Sequence, residues 1–343
     1  MKEEKTLQNL GEFGLIDHLT ESFVAVNKST VKAVGDDAAV LDYGKKQSIV
    51  TTDLLLQGIH FDLVYTPLRH LGYKAVVVNI SDVIAMNATP KQITVSIGIS
   101  SRFTLEMIEE LYGGIKQACD TYKVDLVGGD TSSSLTGLTI SITCIGEADK
   151  TKITYRSGAK DTDIVCVSGN LGASYMGLQL LEREKKVLDE VKGVEPDFEG
   201  YEYLLERQLK PEARLDIIEK LRDNDILPTS MIDISDGLSS ELLHICKQSL
   251  CGCRIFEDRI PIDYQTAKIA EEFNMNLITA ALNGGEDYEL LFTVPLVDYD
   301  KVVGIEGVKV IGHITKPDLG AYLVTRSDQE VQLVAQGWNS LAE

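Results

Sequence analysis

Apolar residues recur along this chain at two spacings, and the alternation between them predicts an α/β protein. Positions 11–23 (GEFGLIDHLTESF) carry apolar residues at helical spacing, and Val31–Val34 and Ser48–Thr52 are short strand-like runs. Thr66–Asn87 predicts a long helix, because Pro67 suits a first turn and apolar residues are dense from Leu71 to Met86. Ile93–Ile99 alternates as a strand and Leu105–Tyr122 repeats as a helix. Val124–Val127 is a short strand ending in GGDTSSS, and Leu138–Ile145 alternates again.

Around Gly146–Gly158 this pattern gives way to a charged stretch, the expected domain junction. A second α/β series follows, with a strand over Asp163–Ser168, a turn over Gly169–Gly172 and a helix over Ala173–Arg183. Glu184–Gly200 is a charged connection, Pro211–Leu221 is helical, and Ser230–Ile234 runs into a helix whose start signal is Ser235 or Asp236. After a poorly periodic region come the Asn283–Glu289 segment and strands at Leu290–Val294, Val308–Ile314 and Ala321–Thr325. The division predicts two α/β domains, residues 1–150 and 151–343, which agrees with a 343-residue chain at roughly 150 residues per domain.

Charge narrows the function. Lys and Arg number 33 against 53 Asp and Glu, a formal −20, and no basic run exceeds two residues, which argues against a nucleic-acid face. No apolar run approaches the roughly 20 residues that cross a bilayer, and MKEEKTLQNL carries no apolar signal core, so no membrane role and a cytoplasmic location are expected. Six scattered cysteines fit reduced thiols, and Cys251-Gly-Cys253 lacks a second pair at zinc spacing.

The candidate chemistry lies in carboxylates beside Gly, Ser or Thr: Asp36-Asp37, Asp53 after Thr51-Thr52, Asp82, Asp130 after Gly128-Gly129, Asp233, Asp236 and Glu286-Asp287. Carboxylates with hydroxyl and backbone oxygens suit a hard cation such as Mg2+, which is shared between one or two carboxylates and a substrate phosphate. Asp beside Gly equally serves turns and helix caps. Two positions favour the cation. Asp82 sits in a helix with little polar face, and a buried carboxylate needs a partner. Asp233 and Asp236 bracket a strand-to-helix turn where they would repel each other without a cation between them. The GxxxxGK[ST] loop, the GxGxxG fingerprint, the HRD and DFG pair and the GxSxG elbow are all absent.

In order along the chain stand GDDAAV (35–40), TTDLLLQGIHF (51–61), YKAVVVNISDVIAMNATP (73–90), GGDTSSS (128–134), TYRSGAK (154–160), IDISDGLSSEL (232–242) and GGEDYELLFTV (284–294). Together they resemble the thiamine-monophosphate kinase family of the aminoimidazole-ribonucleotide-synthetase-like ATP-binding superfamily, from GEFGLI at 11 to the GW at 337–338. The resemblance implies transfer of the γ-phosphoryl of ATP to thiamine monophosphate, with several Mg2+ ions, in a homodimer joined through N-terminal domains that form a dimerisation sheet or barrel. It implies Asp37, Thr51, Thr52, Asp53, Asp82, Asp130, Asp233 and Asp236 as Mg2+ ligands. Gly129, Asp130, Arg156 and Ser235 would contact ATP, and His60, Glu286 and Trp338 would contact thiamine monophosphate. No general base is expected, because a phosphate monoester with a second pKa of about 6 is already ionised near neutrality. Selenophosphate synthetase, a sibling, needs a reactive N-terminal cysteine, and none precedes Cys119. A non-catalytic divalent-cation binder is the alternative from another class, and steady ADP release with thiamine monophosphate would exclude it.

Overall fold

The computed structural model describes residues 18–32, 40–190 and 198–336. They form two compact units, one made of residues up to Val83 with Ala88–Thr151, the other of Ile84–Asn87 with Lys152 onward.

In the first unit β1 (Thr30–Lys32) pairs with β2 (Val40–Leu41), and then come β3 (Gln47–Leu56), α1 (Leu68–Ala85), β4 (Thr89–Ile99), α2 (Leu105–Tyr122), β5 (Asp125–Ser133) and β6 (Thr139–Ala148). The main sheet has the order β3-β6-β4-β5, with β6 antiparallel to both neighbours and β4 parallel to β5. A parallel pair needs a crossover, and α2 supplies it. Helix α1 is apolar nearly all round, with Ala75, Val76, Val77, Ile80, Val83 and Ile84 buried, as a helix enclosed on most sides must be. The two helices meet backbone to backbone: a Cβ at Gly72 would stand 2.0 Å from Leu111 O, and one at Gly114 would stand 1.8 Å from Arg69 O.

This sheet is open rather than a closed barrel, since four strands are too few to close on themselves. Val50 and Leu54, on the even-numbered face of β3, are exposed. Strand β5 continues through Gly128–Ser133, where the sequence pattern suggested a strand ending at Val127. Most of the helix expected over 11–23 lies outside the described residues, as does the end of the Val31–Val34 strand.

The second unit contains β7 (Ile164–Ser168), α3 (Ala173–Glu190), α4 (Glu202–Leu209), α5 (Leu215–Asp223), β8 (Ser230–Asp233), α6 (Leu238–Ser249) and β9 (Gly252–Phe256). After these come α7 (Tyr264–Glu272), α8 (Leu277–Asn283), β10 (Leu290–Val294), α9 (Tyr299–Val303), β11 (Val308–Thr315), β12 (Ala321–Val324) and β13 (Glu330–Gln332). Its mixed sheet has the order β13-β12-β9-β11-β7-β10-β8, with only β12 and β9 parallel. Val165, Val167, Ile232, Leu238, Leu242 and Leu291 share one core, while Met176, Leu204, Ile269 and Ala280 form a second among α3, α4, α7 and α8.

Several helices differ from the sequence expectation. Helix α3 runs on to Glu190. Helices α7 and α8 occupy the poorly periodic region, and their signal lay in their caps: Asp263 accepts from Gln265 N at 2.8 Å and Asn276 from Thr279 N at 2.9 Å. Helix α6 is capped by Gly237 at φ +121°, not by Ser235 or Asp236, whose backbones belong to the preceding turn.

Candidate functional site

In the first unit the candidate ligands gather where β3 faces α1. Thr51 Oγ1 donates to Asp82 Oδ2 at 2.6 Å. Asp53, two residues along the strand, lies on the same face. Burial, and then the negative charge of Asp82, push the Asp53 carboxyl up to about 6. Thr52 takes the opposite face, where its hydroxyl donates to Ile142 O and accepts from Thr143 Oγ1, both at 3.1 Å. The structure therefore gathers the side chains of Thr51, Asp53 and Asp82 and turns that of Thr52 away.

Asp130 is exposed on β5, opposite Ser96 in the parallel ladder with β4. Gly129 lies beside it, and a Cβ there would stand 1.8 Å from Val95 O, so close strand approach alone requires this glycine. His60 belongs to the turn after β3, and its Nδ1 accepts the Leu56 N–H at 3.1 Å, which puts the proton of a neutral ring on Nε2. Asp37 lies outside the described residues.

In the second unit two of the sequence motifs fold onto one another. Glu286 N donates to Ser235 O at 2.7 Å, Tyr288 N to Ile234 O at 2.9 Å, and Ile234 N to Glu289 O at 2.8 Å. The crossing is tight, because a Cβ at Gly285 would stand 2.6 Å from Ser235 O and one at Gly237 would stand 2.8 Å from Leu282 O. Both glycines have positive φ, as do Glu286 at +55° and Tyr288 at +51°, and left-handed non-glycine backbone of this kind clusters at ligand sites. Asp233 is buried at the end of β8. Burial raises the Asp236 carboxyl, while the charges of His244 and Arg156 oppose that shift, which puts Arg156 within electrostatic reach of Asp236. Trp338 lies outside the described residues.

Several residues with a stake in this site gave little sequence signal. Glu241, in the first turn of α6, accepts the Asp236 N–H at 3.0 Å through Oε1, while its Oε2 is buried without a hydrogen-bond partner. Burial first, then the charges of Asp236 and Asp233, carry its carboxyl up to about 8. Ser249, at the other end of α6, holds the Arg156 loop: its hydroxyl accepts from Gly158 N and Ala159 N, each at 3.1 Å, and donates to Arg156 O at 3.4 Å. Asp287, by contrast, was a sequence candidate, and its carboxylate caps α3, accepting from Gly172 N at 2.7 Å and Ser174 N at 3.4 Å. Buried beside it, Glu289 takes Arg207 at 3.0 Å and Arg214 at 2.5 Å, and accepts Ser168 Oγ at 2.5 Å.

Among the described residues no three His, Cys, Asp or Glu side chains stand close enough to hold a metal ion by themselves. The donors present still suit Mg2+. They are hard oxygens, two carboxylates are held close despite their repulsion, and Glu241 carries an orphaned carboxylate oxygen. Mg2+ completes its shell with waters and substrate phosphates rather than with protein side chains alone.

Residues 35–148 match the family model described as AIR synthase related protein, N-terminal domain. The thiamine-monophosphate kinase of Aquifex aeolicus is 35% identical over 321 residues, covering 91% of this chain and 97% of that protein. That of Bacillus subtilis is 36% identical over 288 residues, with 83% and 84% covered. The solved structure of AaThiL complexed with AMPPCP and TMP superposes with a TM-score of 0.74 at 33% identity, covering 99% of this chain and 100% of that one. By sequence and by fold, the chain belongs to the thiamine-monophosphate kinase family.

Proposed function

We propose that this protein transfers the γ-phosphoryl group of ATP to thiamine monophosphate, forming thiamine diphosphate and ADP, as its relatives' names and the AMPPCP and TMP bound to AaThiL suggest. The observation that carries the reading is the Thr51–Asp53–Asp82 set, two carboxylates whose charges repel, with a hydroxyl bonded to one of them. Such a set disfavours a bare anion and favours a hard cation carrying phosphate.

Thr51, Asp53, Asp82 and Asp130, with Asp37, would hold Mg2+, and so would Asp233 and Asp236. Thr52 would join through its main chain. Bound Mg2+ would neutralise the phosphate charges that otherwise keep two polyanions apart. The remaining work falls to the chain. Arg156 would meet a phosphate of ATP, aided by Gly129 and by Ser235, whose backbone is fixed against Glu286. Glu286, His60 and Trp338 would hold thiamine monophosphate, whose thiazolium is a cation and suits a carboxylate and an aromatic face. No side chain need remove a proton, because the attacking phosphate oxygen is already ionised near neutrality.

We further infer a homodimer through the first domain (1–150), where the open sheet face with Val50 and Leu54 would be covered by a second copy, the second domain (151–343) completing the substrate site. No helix among the described residues is long and apolar enough to cross a membrane, which supports a cytoplasmic enzyme. The test is ADP release. It should require thiamine monophosphate, stop with excess EDTA and return with added Mg2+; release that ignores either addition refutes the reading.

A further inference from the structure

Gln208 lies in α4 and is 5% exposed. Its Nε2 donates to Glu286 Oε2 at 3.0 Å, and its Oε1 meets Ser174 Oγ at 2.5 Å. A carboxylate can only accept, so the amide must turn its NH2 toward Glu286 and its oxygen toward the Ser174 hydroxyl. The result is a buried relay from Ser174 through Gln208 to Glu286. Its neighbour Arg207 grips the same loop by the main chain, donating from Nη2 to Asp287 O at 2.9 Å. Consecutive residues of α4 thus fix both the backbone of this loop and the carboxylate of Glu286, which lies at φ +55° with its N–H on Ser235 O.

The choice of amide matters chemically. Arg or Lys at this position would hold Glu286 equally well but would cancel its charge. A neutral donor fixes the carboxylate and leaves the pair formally anionic, as recognition of a cationic ring requires.

We propose that Gln208 is a positioning residue that sets the acceptor specificity of the site, orienting Glu286 toward the cationic half of the phosphate acceptor, with Ser174 fixing the amide. This rests on the reading in which Glu286 contacts thiamine monophosphate.

The test compares Gln208→Leu, Ser174→Ala and Glu286→Gln in the full-length protein, with both Michaelis constants, kcat and the thermal midpoint measured for each. Gln208→Leu should raise KM for thiamine monophosphate about five- to twenty-fold while KM for ATP and kcat stay within about twofold. Ser174→Ala should move the same constant in the same direction by about two- to fivefold. In the Glu286→Gln background, Gln208→Leu should add nothing. If Gln208→Leu fails to fold, Ser174→Ala decides, and an unchanged KM there overturns the inference. An equal rise in both Michaelis constants also overturns it. A raised acceptor KM in Glu286→Gln beside an unchanged one in Gln208→Leu overturns this inference alone, whereas an unchanged KM in Glu286→Gln overturns the substrate role of Glu286 and the inference with it.

Discussion

Thr51 on β3 and Asp82 on α1, 31 residues apart in sequence, are joined by a hydrogen bond of 2.6 Å. The bond brings the Asp82 charge to the face occupied by Asp53, whose carboxyl is raised to about 6 by burial and by that charge. A folded-state pKa above the usual 3.8 means the native state keeps its proton longer than the unfolded chain does. The contribution of Asp53 to stability is therefore full below about pH 4 and falls away as pH rises toward 6.

Asp53→Asn removes this penalty. In the presence of chelator the variant should exceed wild type in unfolding free energy by about 1–2 kcal/mol at pH 8, after allowance for solvent screening, and the gap should shrink at pH 5. Turnover should fall by about two orders of magnitude. Denaturant titrations at the two pH values check the first expectation, and a less stable variant at pH 8 contradicts the electrostatic account.

Ser249 is the only described acceptor for two successive N–H groups of the Arg156 loop. Ser249→Ala should raise KM for ATP about three- to tenfold and leave KM for thiamine monophosphate unchanged, since about 1 kcal/mol of loop order is lost. Steady-state kinetics with each substrate varied in turn would show whether the effect is confined to ATP.

Glu289 is buried between Arg207 and Arg214. Glu289→Ala takes a buried carboxylate from two guanidinium groups, leaving Arg207 with Asp287 O at 2.9 Å and Arg214 with Asp216 at 2.9 Å, and should cost about 3–5 kcal/mol in urea unfolding. A loss below about 1 kcal/mol would mean that the cluster is solvent-screened rather than structural.

Two adjacent glycines of α2 should behave in opposite ways. Gly114→Ala places a Cβ 1.8 Å from Arg69 O and should destabilise by at least about 2–3 kcal/mol. Gly113→Ala meets only Arg69 Nη1 at 3.8 Å and should be neutral or gain up to about 1 kcal/mol of helix propensity. Thermal midpoints of the two variants, measured side by side, test the helix crossing.

How much of this was legible beforehand follows from where the signal lay. Long periodic elements such as α1 and α2 were readable because burial repeats along them, and Asp82 stood out as a charge inside an apolar helix. Helices α7 and α8 were not, because each spans about two turns and declares itself chiefly through Asp263 and Asn276. The continuation of β5 through two glycines was hidden because Gly129 reads locally as a turn residue, whereas only the backbone of Val95 across the ladder explains it. In the site, the carboxylates beside Gly and Ser were visible as motifs. Their supports, Gln208, Glu241 and Ser249, were not, since a lone polar residue in a helix carries no local mark of what it will touch.

The fate of the γ-phosphoryl group tests the central claim most directly. The protein is incubated with Mg2+, ATP labelled with 18O in the γ-phosphoryl group, and either thiamine monophosphate or thiamine, and the products are weighed by mass spectrometry. Thiamine diphosphate carrying the label in its terminal phosphoryl, formed one for one with ADP and only from thiamine monophosphate, is the predicted result. Thiamine diphosphate formed from thiamine with release of AMP, or ATP consumed with the label found only in free phosphate, would contradict it.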